Sequence, residues 1–283
     1  MRTLLICHDD APFDREGLAG WLASFSDLVG IVVLKETPER QRKRVRRELQ
    51  RVGYARFLDV LAFRLFYRAT QAAADAAWER SALAAMARRY GSAPADTPVL
   101  EAPTPNTPEA QAFIAERAPT LVIARCKQLL AERIFTIPTH GTWVLHPGVC
   151  PEYRNAHGGF WALANDDLDK VGVSLLRIDR GVDTGPVYGY FGYAYDETRE
   201  SHVVIQQRCV TENLDAIAER FREVVAGRAT PIDTRGRPSG EWGQPWLTRY
   251  LRWKRRARAR AARSAAPVGR PPRVGDAAAR TGA

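Results

Sequence analysis

One histidine and two carboxylates stand where the chain changes character. Residues 142–145 form a short apolar run that ends on His146, and Pro147 and Gly148 follow at once. Proline and glycine break a strand, so the imidazole belongs at a strand end where a loop takes over. Residues 171–178 are a second run rich in Val, Leu and Ile, with the composition of a buried strand. It leads into Asp179-Arg180-Gly181-Val182-Asp183-Thr184-Gly185-Pro186, a glycine-rich loop holding two carboxylates. A His and an Asp at the ends of two neighbouring strands can build an acid–base site. Taken singly, a histidine at a strand end is more often a structural hydrogen-bonding residue, and Asp183 could be a turn former.

The residues around this pair carry a resemblance. HPGVCPEYR at 146–154, GGFWAL at 158–163 and GVSLLRIDRGVDTGPV at 172–187 resemble the formyltransferases that use 10-formyltetrahydrofolate. In that family a strand ends in Asn-x-His-Pro and a Leu-Pro-x-Tyr-Arg-Gly-like loop follows. A helix and a strand then lead into Asp-x-Gly-x-Asp-Thr-Gly-Pro. The resemblance implies that His146 and Asp183 are catalytic. It implies that Cys126, Lys127, Gln128, Leu129 and Leu130, with Gly181 and Val182, hold the folate donor, and that Tyr153 and Arg154 meet the acceptor. Val144 departs from the pattern, because the family has its catalytic Asn there. Valine cannot donate to a developing oxyanion, and one such donor is worth on the order of 10²–10³ in turnover. Asn155, where the family has Gly, is the first candidate to replace it, and Gln128 the second.

The implied reaction moves a formyl group to the amine of a small acceptor. The methionyl-tRNA members carry a further C-terminal domain, and the stretch 227–283 is short and partly low-complexity, which argues against tRNA. Purine-pathway members lack a long helical insertion after the second strand. A nucleotide-linked amino sugar is therefore the leading acceptor. The alternative is a non-catalytic or repurposed relative that binds folate or a sugar nucleotide.

The elements that must position these residues alternate. Residues 3–7, 28–34, 98–100, 121–124 and 189–195 read as further strands. Residues 15–25, 108–117 and 131–135 read as helices or helical turns, and 200–226 as one long amphipathic helix. Residues 40–51 are a basic run, either a solvated face or an anion contact, and 51–87 are helical, with Phe57, Leu58, Leu61 and Leu65 at helical spacing. This alternation argues a three-layer α/β fold with a largely parallel sheet. With the resemblance it becomes a Rossmann-like formyltransferase fold with a helical insertion after strand two. Ligands of such sheets bind at the carboxyl ends of the strands, where His146 and the loops after Ala124 and Ile178 are expected. The chain divides into a catalytic domain, 1–232, with 40–92 inserted; a basic, Trp-containing extension, 233–260; and a disordered tail, 261–283.

Composition sets the outer bounds. The 283 residues suffice for one large or two small domains. The formal net charge of +10 is concentrated late: 251–283 hold ten Lys and Arg against one acid. The tail has no fold that reads bases, so it implies no specific nucleic acid and at most weak contact with anionic surfaces. The four cysteines are far apart and unpaired in pattern, which suits reduced thiols in the cytoplasm. No apolar run reaches membrane-spanning length, and the N-terminus reads as a strand instead of a signal peptide. His8, His140, His157 and His202 match no ligand pattern, and no cluster has metal spacing.

Overall fold

The computed structural model describes residues 1–263. The apolar runs form strands in the expected places. β1 (Arg2–His8) leads through a π-helical turn at Phe13–Leu18 into α1 (Ala19–Phe25), and β2 (Asp27–Leu34) follows. Thr37 then caps α2 (Pro38–Thr70) by accepting from Arg40 N, with Pro38 opening the helix where its missing N–H costs nothing. Gly53, at φ 76° and ψ 167°, kinks α2 and separates its basic first part from its apolar second part. The return helix is α3 (Ala72–Tyr90).

β3 (Val99–Ala102), α4 (Pro108–Glu116), β4 (Leu121–Arg125), α5 (Glu132–Phe135) and β5 (Thr142–His146) come next. They are followed by β6 (Arg154–Asn155), α6 (Gly158–Asn165), β7 (Val173–Arg177) and β8 (Val187–Phe191). The chain continues through α7 (His202–Thr211), α8 (Leu214–Val225), β9 (Glu241–Trp242) and α9 (Leu247–Arg263).

Seven strands make one sheet in the order β3-β2-β1-β4-β5-β7-β8, and β6 pairs with β9 in a small second one. The five strands from β3 to β5 are parallel. Alternate residues of β1 enter separate apolar clusters, Leu5 and Cys7 on one face and Leu4 and Ile6 on the other, which is the mark of a sheet covered on both sides. The fold is a three-layer, Rossmann-like α/β sandwich. No helix of the described residues is long and apolar enough to cross a membrane.

The structure corrects four expectations. β7 runs antiparallel to β5, pairing Ser174 with His146 and Arg177 with Trp143. The loop after Ile178 therefore leaves the sheet at the amino end of β5 and must double back to reach His146. The helix expected over 200–226 is two helices. Asn213 ends the first by donating to the Cys209 carbonyl at 2.9 Å and to Gly192 O at 3.0 Å, a tertiary contact that no local pattern announces. Of the stripe read in α2, Leu58, Leu61 and Leu65 point outward, while Val60 and Phe63 are the buried residues. Residues 261–263, expected to be disordered, are the last turn of α9; the rest of that expectation lies outside the described residues.

α9 packs on the main core. Trp253 is fully buried and donates to Glu197 Oε1 at 2.7 Å. Lys254 donates to the carbonyls of Glu197 and Glu200 at 2.7 and 2.6 Å, and burial pulls its ammonium down to about 8. The aromatic residues of this basic segment thus face inward.

Candidate active site

Strand alternation puts Val144 and His146 on one face of β5, while Trp143 and Leu145 go to the main core on the other. Behind His146 the chain wraps closely around the ring. A Cβ on Gly148 would lie 2.6 Å from Tyr153 O and 3.1 Å from His146 Nε2, so only glycine allows this approach. His146 is 3% exposed. Its Nε2 lies 2.7 Å from Tyr153 O and its Nδ1 lies 3.3 Å from Asp183 Oδ2. A carbonyl and a carboxylate are both acceptors, so each ring nitrogen faces a group that can receive its hydrogen.

Asp183 arrives on the hairpin arm between β7 and β8. Asp179 shapes that arm by accepting from Gly181 N at 2.9 Å and Thr184 Oγ1 at 2.7 Å. Asp183 sits in the left-handed region, at φ 51°. Its Oδ2 also accepts from Asn155 N at 2.8 Å, and Oδ1 has no protein hydrogen bond among the described residues. The arm is braced from outside, because Arg154 donates to Val182 O at 2.8 Å and to Ser239 Oγ at 2.9 Å.

Three of the expected site residues make protein contacts that the sequence does not announce. The side-chain amide of Asn155 donates to Trp242 O at 2.7 Å and Glu241 Oε1 at 3.3 Å, so both of its hydrogens are taken by β9. It meets Asp183 through its backbone instead. Tyr153 is buried, stacks on Trp242 with centroids 5.6 Å apart, and donates to Asp167 Oδ2 at 3.0 Å. Its carbonyl, not its ring, serves the site. The Arg154 guanidinium is a strut for the hairpin arm. Val144 packs beside Val149, Cys150, Val187 and Tyr190, an apolar setting that supplies no donor.

The strand order reverses between β1 and β4, which opens a crevice at their carboxyl ends. Residues 126–130 lie there. Asn106 pins them by donating to Leu129 O at 2.9 Å and accepting from Ala131 N at 2.7 Å. Leu130 is buried, and Cys126 is a free thiol pushed up to about 11 by burial. The N–H groups of Gln128, Leu129 and Leu130 and the carbonyl of Lys127 have no backbone or side-chain partner among the described residues. A row of open backbone donors and acceptors suits the polar edge of a flat heterocycle.

Two residues missed by the sequence reading join this loop. His8 Nε2 accepts from Lys127 N at 3.1 Å, and the ring is 3% exposed; burial lowers its pKa, which keeps it an acceptor. Its position as the last residue of the first strand is the one local signal it gave. Arg40, the first residue of the basic run, donates to Gln128 Oε1 and so ties the insertion to the loop.

No family model matches the chain. A methionyl-tRNA formyltransferase of Dehalococcoides mccartyi (strain CBDB1) is 39% identical over 82 residues, 29% of this chain and 26% of that protein. One from Myxococcus xanthus (strain DK1622) is 35% identical over 107 residues, 37% of this chain and 34% of that protein. The chain thus spans only a quarter to a third of the length of these curated relatives. In structure it is similar to a sugar N-formyltransferase from Shewanella sp FDAARGOS_354, with a TM-score of 0.53 at 12% identity, covering 91% of this chain and 87% of that one. The sequence similarity to formyltransferases thus covers part of the chain, and the structural similarity is one of fold. A 4-N formyltransferase from Francisella tularensis gives a TM-score of 0.51 at 9% identity over 90% of this chain and 87% of the other, so the formyltransferase fold extends across nearly all of the chain.

Proposed function

We propose that this protein transfers a formyl group from 10-formyltetrahydrofolate to the primary amine of a small acceptor. The observation that carries the reading is the His146–Asp183 pair at 3.3 Å, with Asp183 Oδ1 open among the described residues. The folate donor would supply an activated formyl carbon, and the open backbone of residues 126–130 fits its ring. The chain's own residues do the rest. As the amine nitrogen bonds to the formyl carbon, Asp183 Oδ1 takes the proton that the amine must lose, directly or through one water, and passes it to N10 as the carbon–N10 bond breaks and tetrahydrofolate leaves. The imidazolium of His146 holds Asp183 in place and lends positive charge to the developing oxyanion. Tyr153 O and Asn155 N fix the pair, so little reorganisation is needed at the moment of reaction.

The leading acceptor is a nucleotide-linked amino sugar. Its support is cationic: Lys127 and Arg40 flank the crevice, and Arg42, Lys43, Arg46 and Arg47 follow on the exposed side of α2. A second reading, binding of the same ligands without turnover, is favoured by the apolar packing of Val144 and by the committed amide of Asn155. The two separate in one experiment. The protein is incubated with 10-formyltetrahydrofolate and a panel of nucleotide-linked amino sugars while tetrahydrofolate release is followed. Release with one acceptor, lost in Asp183→Asn, supports transfer. Saturable binding of donor and acceptor with no release supports the binding reading.

A further inference from the structure

The second half of α2 is apolar on both sides. Val60 and Phe63 are 0% and 5% exposed and face the core, whereas Tyr54, Leu58, Leu61 and Leu65 are 81%, 65%, 38% and 72% exposed. At about 100° per residue these four residues form one stripe, roughly 180° from the buried one. A helix apolar all round is normally covered all round. Four protruding large side chains along one stripe make a contiguous apolar patch, and such patches mark interaction surfaces.

The rim of the stripe is basic. Arg64 and Arg68 border it on one side. On the other side lies α9, held against α2 by Thr248 on Asp59 and by Tyr250 packed 5.4 Å from Phe66. Leu251 is 49% exposed one turn beyond Thr248, and Arg252, Arg255 and Arg258 continue outward. The ion pairs of α2 are Arg44–Glu36 and Arg51–Glu48, and those of α9 join Arg256 and Arg260 to Asp166 and Glu197. Arg68, Arg252, Arg255 and Arg258 therefore keep their charges unpaired among the described residues.

The sign of that rim selects the occupant. A second copy of the chain would bring one arginine rim against another. We propose that the outward face of α2, with the adjoining edge of α9, docks on an anionic lipid bilayer. Tyr54, Leu58 and Leu65 enter the headgroup boundary, and the arginines extend their stems along the apolar surface to reach lipid phosphates. This inference does not depend on the catalytic reading.

Vesicle flotation with the full chain tests it. The wild type should float with vesicles of mixed phosphatidylglycerol and phosphatidylcholine, should not float with phosphatidylcholine alone, and should be released by high salt. Leu58→Ser/Leu65→Ser and, separately, Arg68→Glu/Arg252→Glu should weaken binding by about tenfold or more, with unchanged circular dichroism and melting. Failure of the wild type to float, or equal flotation of all three proteins, would overturn the proposal. Lipid-free self-association that the leucine pair abolishes would overturn it too, by making a second copy the occupant.

Discussion

His146 and His202 are buried almost equally, at 3% and 2% exposed. Their surroundings have nothing else in common. His146 sits between a carbonyl and a carboxylate on a loop-rich face of the sheet. His202 opens α7 inside a box of aromatic rings, with centroids of Phe160, Phe63 and Tyr67 at 5.3, 5.5 and 5.8 Å. Its Nδ1 has no partner among the described residues, and burial drives its pKa well below the usual imidazole range. Burial alone keeps an imidazole neutral and inert. A buried imidazole with a carboxylate 3.3 Å away has a partner for acid–base work, and that difference separates a candidate catalytic residue from a packing residue.

The sharpest break of this contrast is mutational. Asp183→Asn and His146→Ala should each lower formyl transfer by roughly 10²–10⁴, the usual worth of an acid–base group, while both proteins remain folded by circular dichroism. Wild-type turnover in both variants would remove the pair from the mechanism.

A smaller effect is expected at the neighbouring position. Val144→Asn should raise turnover by about tenfold, because it restores an amide donor on the face that carries His146. It should also cost about 1–3 kcal/mol of stability, because the amide enters an apolar cluster. Asn155→Ala should change the rate by less than about threefold, since its amide hydrogens already belong to β9. A collapse of activity in Asn155→Ala would return the donor role to that side chain.

The smallest effect belongs to the aromatic box. His202→Phe should leave kcat and KM within about twofold, since no reacting group lies there. Its signature is in the pH dependence of melting. His202 and His157 have native pKa values below the ordinary 6.5, His157 at about 4 through burial. The unfolded chain therefore binds more protons than the native one below pH 6.5. Stability is greatest above that value and is lost as pH falls, for His157 down to about 4. Tm measured between pH 7 and pH 5 should drop in the wild type and drop less in His202→Phe. Identical slopes would show that His202 takes up its proton in the native state as readily as in the unfolded chain.

Much of the fold and of the site was legible because its signals are local. Pro147 and Gly148 mark a strand end wherever they occur, and Asp179, Gly181 and Thr184 shape their own turn. Strand direction is not local. The antiparallel return of β7 leaves no mark in its composition, so the hairpin arm was expected at a strand end that it does not share with His146. The Leu58, Leu61 and Leu65 stripe gave the period of α2 but not the face that the core would take. The commitments of Asn155 and Tyr153 depend on residues some 90 positions away, Trp242 among them, and no motif reports them.

The arm that carries Asp183 has a consequence for engineering. β7 and β8 are held by their own ladder, so the span between them can be lengthened, shortened or exchanged as a cassette without moving β5. Closing a longer arm is cheap, at about 0.6 kcal/mol for each doubling of its length. On the proposed mechanism, grafting a new arm would present the Asp183 carboxylate to a differently shaped amine while the imidazole stays anchored in the sheet.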